Sequence, residues 1–387
     1  MLDISSNVHK IHKPLIQYQQ TIELLLQQPV YGLSQAEKEH LLVPVFNALH
    51  QHHQASCEPY RNIVSANGQC SAVGDIGELP YLAVRLFKHL QLSSVPQTEI
   101  FKTLQSSGTT GQSPAKIFLD KETSGRQSKA LVKILQASIG KQRLPMLIID
   151  SPAVLKDKSL FSARGAGIQG LAFFGRDHTY ALDENMQPNW PVIEAFAEKY
   201  ANQPVLIFGF TFMLWLHFIQ ALIKLNKTLS FEQGILLHSG GWKKLEEHKV
   251  DNSAFKQTIA KSIGVKQVYN FYGMAEQVGS VFVECEQGHL HAPMLADVIV
   301  RDPYSLAPCK VGEQGLIQVL SVLPTSYPGH SLLTEDLGEL LGIDDCLCGR
   351  KGKHFKVLGR LPKTEVRGCS DTHGVSTADS RMNGAGQ

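Results

Sequence analysis

The chain has 387 residues, of which 43% are hydrophobic and 19% charged, with a formal net charge of +2. That much apolar material supports a large buried core and excludes disorder by composition, and the near-neutral charge leaves no electrostatic footprint for nucleic acid. Seven cysteines at irregular spacing do not form a disulfide framework, which leaves reduced thiols, a metal site or a reactive cysteine.

In chain order, the opening MLDISSNVHKIHKP has no basic stretch leading into an apolar one, so no secretory signal is predicted and the expected location is cytoplasmic. Residues 1–60 read as an N-terminal helical segment. YQQTIELLLQQ and SQAEKEHLLVPVFNALHQHH carry apolar residues three and four apart, and Ser34 with Glu37 has capping-box spacing. The stretch LQSSGTTGQSPAKIFLD follows at 104–120. Glycine lets a backbone turn its N–H groups inward, and Ser and Thr add hydroxyl donors. Ser106, Ser107, Gly108, Thr109, Thr110 and Gly111 therefore form a candidate phosphate cradle, with Lys116 supplying positive charge. The spacing is not that of a P-loop, whose lysine directly follows the last glycine. On composition alone, a surface linker of small polar residues is an equal reading.

Strand and helix signals then alternate through KIFLD, ETSGRQSKALVKILQASIG, LPMLIID, PVIEAFAEKYA and VLIFGF, which predicts a largely parallel sheet covered on both faces. The run VLIFGFTFMLWLHFIQALIKL, 205–225, approaches the ~20 residues of a membrane span. Gly209 and Thr211 break it after a strand-like start, and His217 and Gln220 fall on the helical part, so a buried strand entering a buried helix is predicted rather than a membrane protein. From about 280 to 358, short strand-like runs separated by turn residues indicate a smaller β-rich region. Within it, VECEQGHLH offers Cys285, His289 and His291, and DDCLCGR offers Cys346 and Cys348. Tetrahedral Zn2+ is held by such sulfur and nitrogen sets. The candidate ligands are Cys285, His291, Cys346 and Cys348, with His289 as a substitute. The one-residue gap between cysteines is tighter than the usual knuckle, and reduced thiols beside surface histidines are the competing reading. The chain ends in GVSTADSRMNGAGQ, which reads as a mobile polar tail.

The order Ser-Ser-Gly-Thr-Thr-Gly, then Pro114 and Lys116, resembles the phosphate-binding motif of the adenylate-forming enzymes: acyl-CoA synthetases, peptide-synthetase adenylation domains and luciferases. Further stretches follow in the superfamily's order. LLHSGGWKKL resembles its adenine-binding turn. VYNFYGMAE resembles its Asn-x-Tyr-Gly-x-Thr-Glu motif with Ala275 replacing Thr. LLTEDLGEL resembles its Thr-Gly-Asp motif with Glu335 replacing Gly, and VLGRLPKTEVRG its hinge. The resemblance implies an α/β fold: an adenylate-forming core over 61–358 with covered sheets and the β-rich part, then 359–387 as hinge and truncated C-terminal segment. It implies ATP and Mg2+ as cofactors. Ser106 to Gly111 and Lys116 would hold phosphates, and Gly240, Gly241, Tyr272 and Gly273 would bracket adenine. Glu276 would help hold Mg2+, Asp336 would bind the ribose hydroxyls, and Arg360 would approach the nucleotide. Taken singly, Glu276 or Asp336 is an ordinary surface carboxylate and Tyr272 an ordinary core aromatic.

The superfamily's mobile C-terminal domain, with its adenylating lysine, has no counterpart after Gly368, so that role is expected to be dispensable or filled by another group such as Lys116 or Lys363. At the hinge loop stands Cys369, in RGCSDTHG, with Arg367 and His373 close by in sequence. A thiolate there is a nucleophile for an acyl-adenylate. The combination resembles the acyl-protein synthetases, the fatty acid:protein ligases of the bacterial luminescence fatty-acid reductase complex. That family implies a long-chain fatty acid activated by ATP, passed to Cys369 as a thioester and delivered to a partner acyl reductase subunit, with an acyl-transferase subunit as a further partner. An inert tail thiol is the plainer reading of Cys369. Phe210, Phe212, Met213 and Trp215 are candidates for the acyl-pocket wall. Two rivals share most of these features: an acyl- or aryl-CoA ligase of phenylacetate type, and a non-catalytic nucleotide-binding scaffold.

Overall fold

The computed structural model describes residues 13–106, 114–156, 163–242 and 249–361. The N-terminal segment forms α1 (Lys13–Gln27), α2 (Gln35–Ser56) and α3 (Glu58–Ala66). The capping box forms as its spacing predicts, the Ser34 N–H donating to Glu37 Oε2 at 2.9 Å and the Glu37 N–H to Ser34 Oγ at 3.4 Å. α2 is tied to the distant sheet by charge as well as by apolar packing. Lys38, 1% exposed, lies 3.8 Å from Asp297 Oδ1, and Lys353 lies 3.5 Å from the same oxygen. Gln35 donates to Asp297 Oδ2 at 2.7 Å. Removing one partner of such a set strands a buried charge, so the sequence is committed to all of them.

After β1 (Leu82–Ala83) and the one-turn helix α4 (Leu86–His89), the strands β2 (Lys102–Gln105) and β3 (Lys116–Leu119) form an antiparallel hairpin with Gln105 opposite Lys116. The KIFLD run is therefore not part of the parallel sheet, contrary to what the alternation pattern predicts. A four-residue apolar run carries no record of its partner, and here the neighbouring KTLQ is paired locally. Next come α5 (Lys121–Ile139), β4 (Leu144–Ile148), α6 (Ala153–Lys156), α7 (Ala163–Ala172), β5 (Gly175–Tyr180), α8 (Trp190–Lys199) and β6 (Leu206–Phe210). The membrane-like run resolves into β6, then α9 (Thr211–Met213), a π-helical stretch 214–219 and α10 (Gln220–Lys224). Among the described residues no helix is long and apolar enough to cross a membrane.

β7 (Ile235–Ser239), α11 (Asn252–Ile263) and β8 (Gln267–Tyr272) complete the parallel part, in the order β8-β7-β6-β4-β5. Its inner strands β4, β6 and β7 are largely apolar because both faces are covered, whereas the edge strand β5 is polar and mostly exposed. Met146, Ile148, Leu206, Phe208 and Leu237 join one core, while Leu147, Ile149, Val205, Ile207 and Leu236 join another. The β-rich part then adds β9 (Phe282–Glu284), β10 (Leu290–His291), β11 (Ala296–Arg301), β12 (Gln314–Ser321), β13 (Ser331–Ile343) and β14 (Lys353–Arg360). These strands pair antiparallel and join the parallel half through β8–β9, making one twelve-stranded sheet, with β1 parallel to β13.

α2 also brings a histidine cluster inside. His53 stacks on His330 with centroids 5.0 Å apart, and Tyr60 Oη lies 2.7 Å from His50 Nδ1 and 3.3 Å from His330 Nε2. Burial, with His50 and His52 nearby, pushes His330 down to about 3, and burial with Lys256 does the same to His238. Unfolding returns both to about 6.5, so below that pH the unfolded chain binds protons the folded one refuses. Their stabilisation is complete above pH ~6.5 and declines as pH falls, by roughly 2 kcal/mol per histidine between pH 7 and pH 5. Urea denaturation at the two pH values should show this loss, and His330→Gln should flatten the dependence. An unchanged midpoint between pH 7 and pH 5 contradicts the burial of neutral histidines.

Candidate active site and metal cluster

In a parallel sheet the carboxyl ends of the strands converge on one edge, where ligands bind. Here β6 ends at Phe210, level with Ser239, and β7 at Ser239, level with Phe271. The turns that follow are the Gly240-Gly241 pair and Gly273, so the predicted adenine residues sit side by side. Gly240 has φ +86°, a conformation that favours glycine, and a Cβ there would meet the Phe210 ring at 3.6 Å. Ser239 Oγ donates to the Phe271 carbonyl at 2.9 Å and fixes the turn.

Tyr272 closes the corner. Its hydroxyl donates to Asp336 Oδ2 at 2.7 Å, joining β8 to β13. Asp336 is opposite Arg360 in the β13–β14 ladder, and Arg360 Nε lies 3.5 Å from Asp336 Oδ1. Burial, reinforced by the Asp336 carboxylate, holds the Tyr272 phenol well above its ordinary range, so it remains a proton donor. Glu276 follows on a short 3-10 turn and is 8% exposed. Burial raises its carboxyl, while Lys88 and Arg360 act in the opposite sense. A buried carboxylate of this kind is suited to bind a cation.

Ser106 forms the base of the Gly-rich loop, its N–H donating to the Ala115 carbonyl at 3.0 Å and its Oγ accepting from the Ala115 N–H at 3.1 Å. Lys116 opens β3 with an exposed side chain. Ser107, Gly108, Thr109, Thr110 and Gly111 lie outside the described residues, as do Lys363, Arg367, Cys369 and His373. Of the pocket-wall candidates, Phe210, Phe212 and Met213 pack with Leu182 and Met186, whereas Trp215 is in the core with Trp242 and Phe255, ring centroids 5.5 Å from each. The motif departure at Glu335 has a structural role. Its carboxylate pairs with Arg85, and its carbonyl accepts from the Leu361 N–H at 3.0 Å. Sequence reading missed Arg85 and its neighbour Lys88, because the two-residue strand that carries them to β13 leaves no periodic signal.

The four proposed metal ligands converge. One ligand atom from each of Cys285, His291, Cys346 and Cys348 lies within 4.8 Å of all the others. The sulfurs of Cys285 and Cys346 are 3.9 Å apart, and Cys348 Sγ is 3.4 Å from His291 Nε2. A tetrahedral zinc with bonds of about 2.3 Å to sulfur and 2.0 Å to nitrogen separates its ligands by about 3.5–3.8 Å, so the set has the right size. A second set, His289, Cys346 and His354, shares Cys346. Burial pushes the thiols of Cys285 and Cys348 up and His291 down to about 3, leaving a neutral imidazole with Nδ1 buried and without a hydrogen-bond partner. Donors in this state fit a divalent metal, which would stabilise the thiolates that burial opposes.

A match to the family described as acyl-protein synthetase, LuxE, spans residues 7–376. The chain belongs to the acyl-protein synthetase family. The family match takes in the candidate nucleotide corner, the candidate metal ligands and, in sequence, Cys369. Two curated relatives carry the name long-chain-fatty-acid--luciferin-component ligase. The one from Aliivibrio fischeri is 24% identical over 180 residues, 45% of this chain and 46% of its own length; the one from Vibrio harveyi is 23% identical over 138 residues, 35% of each. The aligned part thus spans less than half of either relative. Among solved structures, 2-hydroxyisobutyryl-CoA ligase matches in an open conformation bound to 2-HIB-AMP and CoA, with TM-score 0.64, 16% identity, and coverage of 85% of this chain and 76% of that one. The same ligase in its postadenylation state gives TM-score 0.65 at 16% identity, covering 85% and 69%. The chain therefore has the adenylate-forming-ligase fold.

Proposed function

We propose that the protein activates a long-chain fatty acid with ATP and transfers the acyl group to its own Cys369. The observation that carries this reading is the corner where Tyr272, Asp336 and Arg360 meet beside the Gly240-Gly241 turn, at the carboxyl edge of the sheet. The family and the names of the two relatives favour a long-chain acid and a protein acceptor.

In this reading the fatty carboxylate oxygen bonds to the α-phosphorus. The bond from that phosphorus to the β-phosphate bridging oxygen breaks, and pyrophosphate leaves with the electron pair. The Cys369 thiolate then attacks the acyl carbon and AMP departs with the C–O bonding pair, leaving a thioester. Tyr272 and Gly240, Gly241 and Gly273 bracket adenine, Asp336 accepts from the ribose hydroxyls, and Arg360 holds the nucleotide side of the hinge. Ser106 to Gly111 and Lys116 bind phosphate oxygens. Mg2+ at Glu276 would neutralise phosphate charge. Cys285, His291, Cys346 and Cys348 would hold a structural Zn2+. Residues 61–358 form the adenylating core, 1–60 brace it, and 359–387 carry the nucleophile. The thioester passes to an acyl reductase subunit in the cytoplasm, with an acyl-transferase subunit as a further partner.

The test incubates the purified chain with ATP, Mg2+ and labelled long-chain fatty acid. Fatty-acid-dependent ATP–pyrophosphate exchange and a hydroxylamine-labile label on the polypeptide are expected. Exchange without label, accompanied by acyl-CoA when coenzyme A is added, replaces this reading with a CoA ligase. No exchange at all leaves only a nucleotide-binding scaffold.

A further inference from the structure

The loop between α1 and α2 lies against the four candidate metal ligands. Its backbone is fixed at two successive residues. The Met294 N–H donates to the Val30 carbonyl at 2.9 Å, and the Lys351 N–H donates to the Tyr31 carbonyl at 3.0 Å. Met294 follows β10 and Lys351 precedes β14, so Tyr31 is held between the segments that supply His291 and Cys348. The Tyr31 ring meets His291 edge-on with centroids 5.8 Å apart, and the Arg350 guanidinium carbon lies 5.2 Å from the centre of the same ring. Arg350 also reaches the cluster through its backbone, its N–H donating to Cys348 Sγ at 3.5 Å, while its Nη2 donates to Glu286 Oε1 at 3.3 Å.

Each of these three touching side chains has a buried polar atom without a hydrogen bond: Tyr31 Oη, His291 Nδ1 and Arg350 Nη1. Their chemistry is complementary. His291 is 0% exposed, and its Nε2 is on the ligand side, 3.4 Å from Cys348 Sγ. An imidazole that gives Nε2 to a cation carries its proton on Nδ1 and needs an acceptor there, which fixes the tautomer and the ring orientation. A guanidinium has donors only, so of the three atoms Tyr31 Oη alone can accept.

We propose that Tyr31 is a positioning residue of a metal centre at Cys285, His291, Cys346 and Cys348. Its hydroxyl oxygen accepts from His291 Nδ1–H and holds Nε2 toward the ion, and Arg350 Nη1 is the second donor to that oxygen. This rests on the metal reading of the four ligands. It makes the ion a link between the N-terminal segment, which supplies the acceptor, and the β-rich part, which supplies every ligand.

Wild type, Tyr31→Phe and Tyr18→Phe are loaded with zinc and, separately, with cobalt(II). Tyr18 is the comparison because it too is a buried tyrosine of the N-terminal segment, its hydroxyl donating to the Val322 carbonyl at 2.7 Å, and it touches no ligand residue. Zinc affinity, read by competition with a chromophoric chelator, should fall about 10–100-fold in Tyr31→Phe, the scale for losing the outer partner of a metal-bound histidine. It should stay within about threefold of wild type in Tyr18→Phe. With cobalt(II), the ligand-field bands should shift in Tyr31→Phe while the thiolate charge-transfer absorption, which reports the sulfurs, is retained. A crystal structure of the zinc-loaded wild type should place Tyr31 Oη on His291 Nδ1, directly or across one water. Zinc affinity in Tyr31→Phe equal to wild type overturns the assignment alone. So does an equal loss in Tyr18→Phe, because loosening of the N-terminal segment then accounts for both. Wild type that takes up neither zinc nor cobalt overturns the metal reading itself, and the assignment with it.

Discussion

Cys369→Ser protein is expected to lose its hydroxylamine-labile acyl label while keeping fatty-acid-dependent ATP–pyrophosphate exchange within about threefold of wild type. The two halves of the reaction use different atoms. Exchange needs the acid, ATP and the corner built by Tyr272, Asp336 and Arg360, none of which involves sulfur. Acyl transfer needs a nucleophile. A thiol with an ordinary pKa of ~8.5 already supplies a few per cent thiolate near neutrality, and a cationic environment increases that fraction. A serine hydroxyl has no comparable anionic fraction without a dedicated base. Holding the nucleophile beside the adenylate is worth an effective concentration of ~10⁵ M or more, so free thiols in solution will not replace it. Full labelling of the Ser variant would rule out Cys369 as the acceptor and move the search to another nucleophile.

How far the sequence discloses this molecule depends on whether a signal is local. The Ser34–Glu37 capping box spans four residues and forms. The run at 205–225 reads as strand then helix because Gly209 and Thr211 interrupt it, and β6 ends at Phe210. Tyr272, Asp336 and Arg360 were selected separately by their motifs and meet through side chains. Pairings between distant segments left less trace. β3 looks like any strand of a parallel sheet, yet it pairs with β2 across the Gly-rich loop. Glu335 reads as a departure from a motif until Arg85, 250 residues earlier, is found against it. Lys38 sits on a helix whose pattern marks it as exposed, yet it is buried against Asp297 and Lys353. A charge in a core is legible only from its partners, and those lie in other strands.

The strand pairing of the sheet is narrowest where the four candidate metal ligands converge, and this gives Cys346→Ser a large expected effect. Between β8, which carries Tyr272, and β13, which carries Asp336, the sheet runs through β9 of three residues and β10 of two. β10 meets β14 only at Leu290–Phe355 and His291–His354. Cys285 follows β9, His291 lies in β10, and Cys346 and Cys348 lie in the turn from β13 to β14, so an ion held there would cross-link both sides of the narrow part. The N-terminal segment leans on the same place, with Tyr31 edge-on to His291 at 5.8 Å and Arg350 over the Tyr31 ring at 5.2 Å. Purified protein is therefore expected to contain stoichiometric zinc. Cys346 belongs to both candidate ligand sets, so its replacement by Ser should abolish binding without rescue by His289 or His354. The loss of stability should be on the order of 5 kcal/mol, a fraction of the ~10–16 kcal/mol of zinc-finger peptides, because these strands also pair without metal. Pyrophosphate exchange should fall with it, since Tyr272 and Asp336 sit on opposite sides of the junction, and a strong chelator should reproduce both effects on wild type. Cys70→Ser, at an exposed thiol remote in sequence from the cluster, should change neither. Zinc-free wild type, fully folded and with a chelator-insensitive melting temperature, would show that the thiols and imidazoles converge for packing alone.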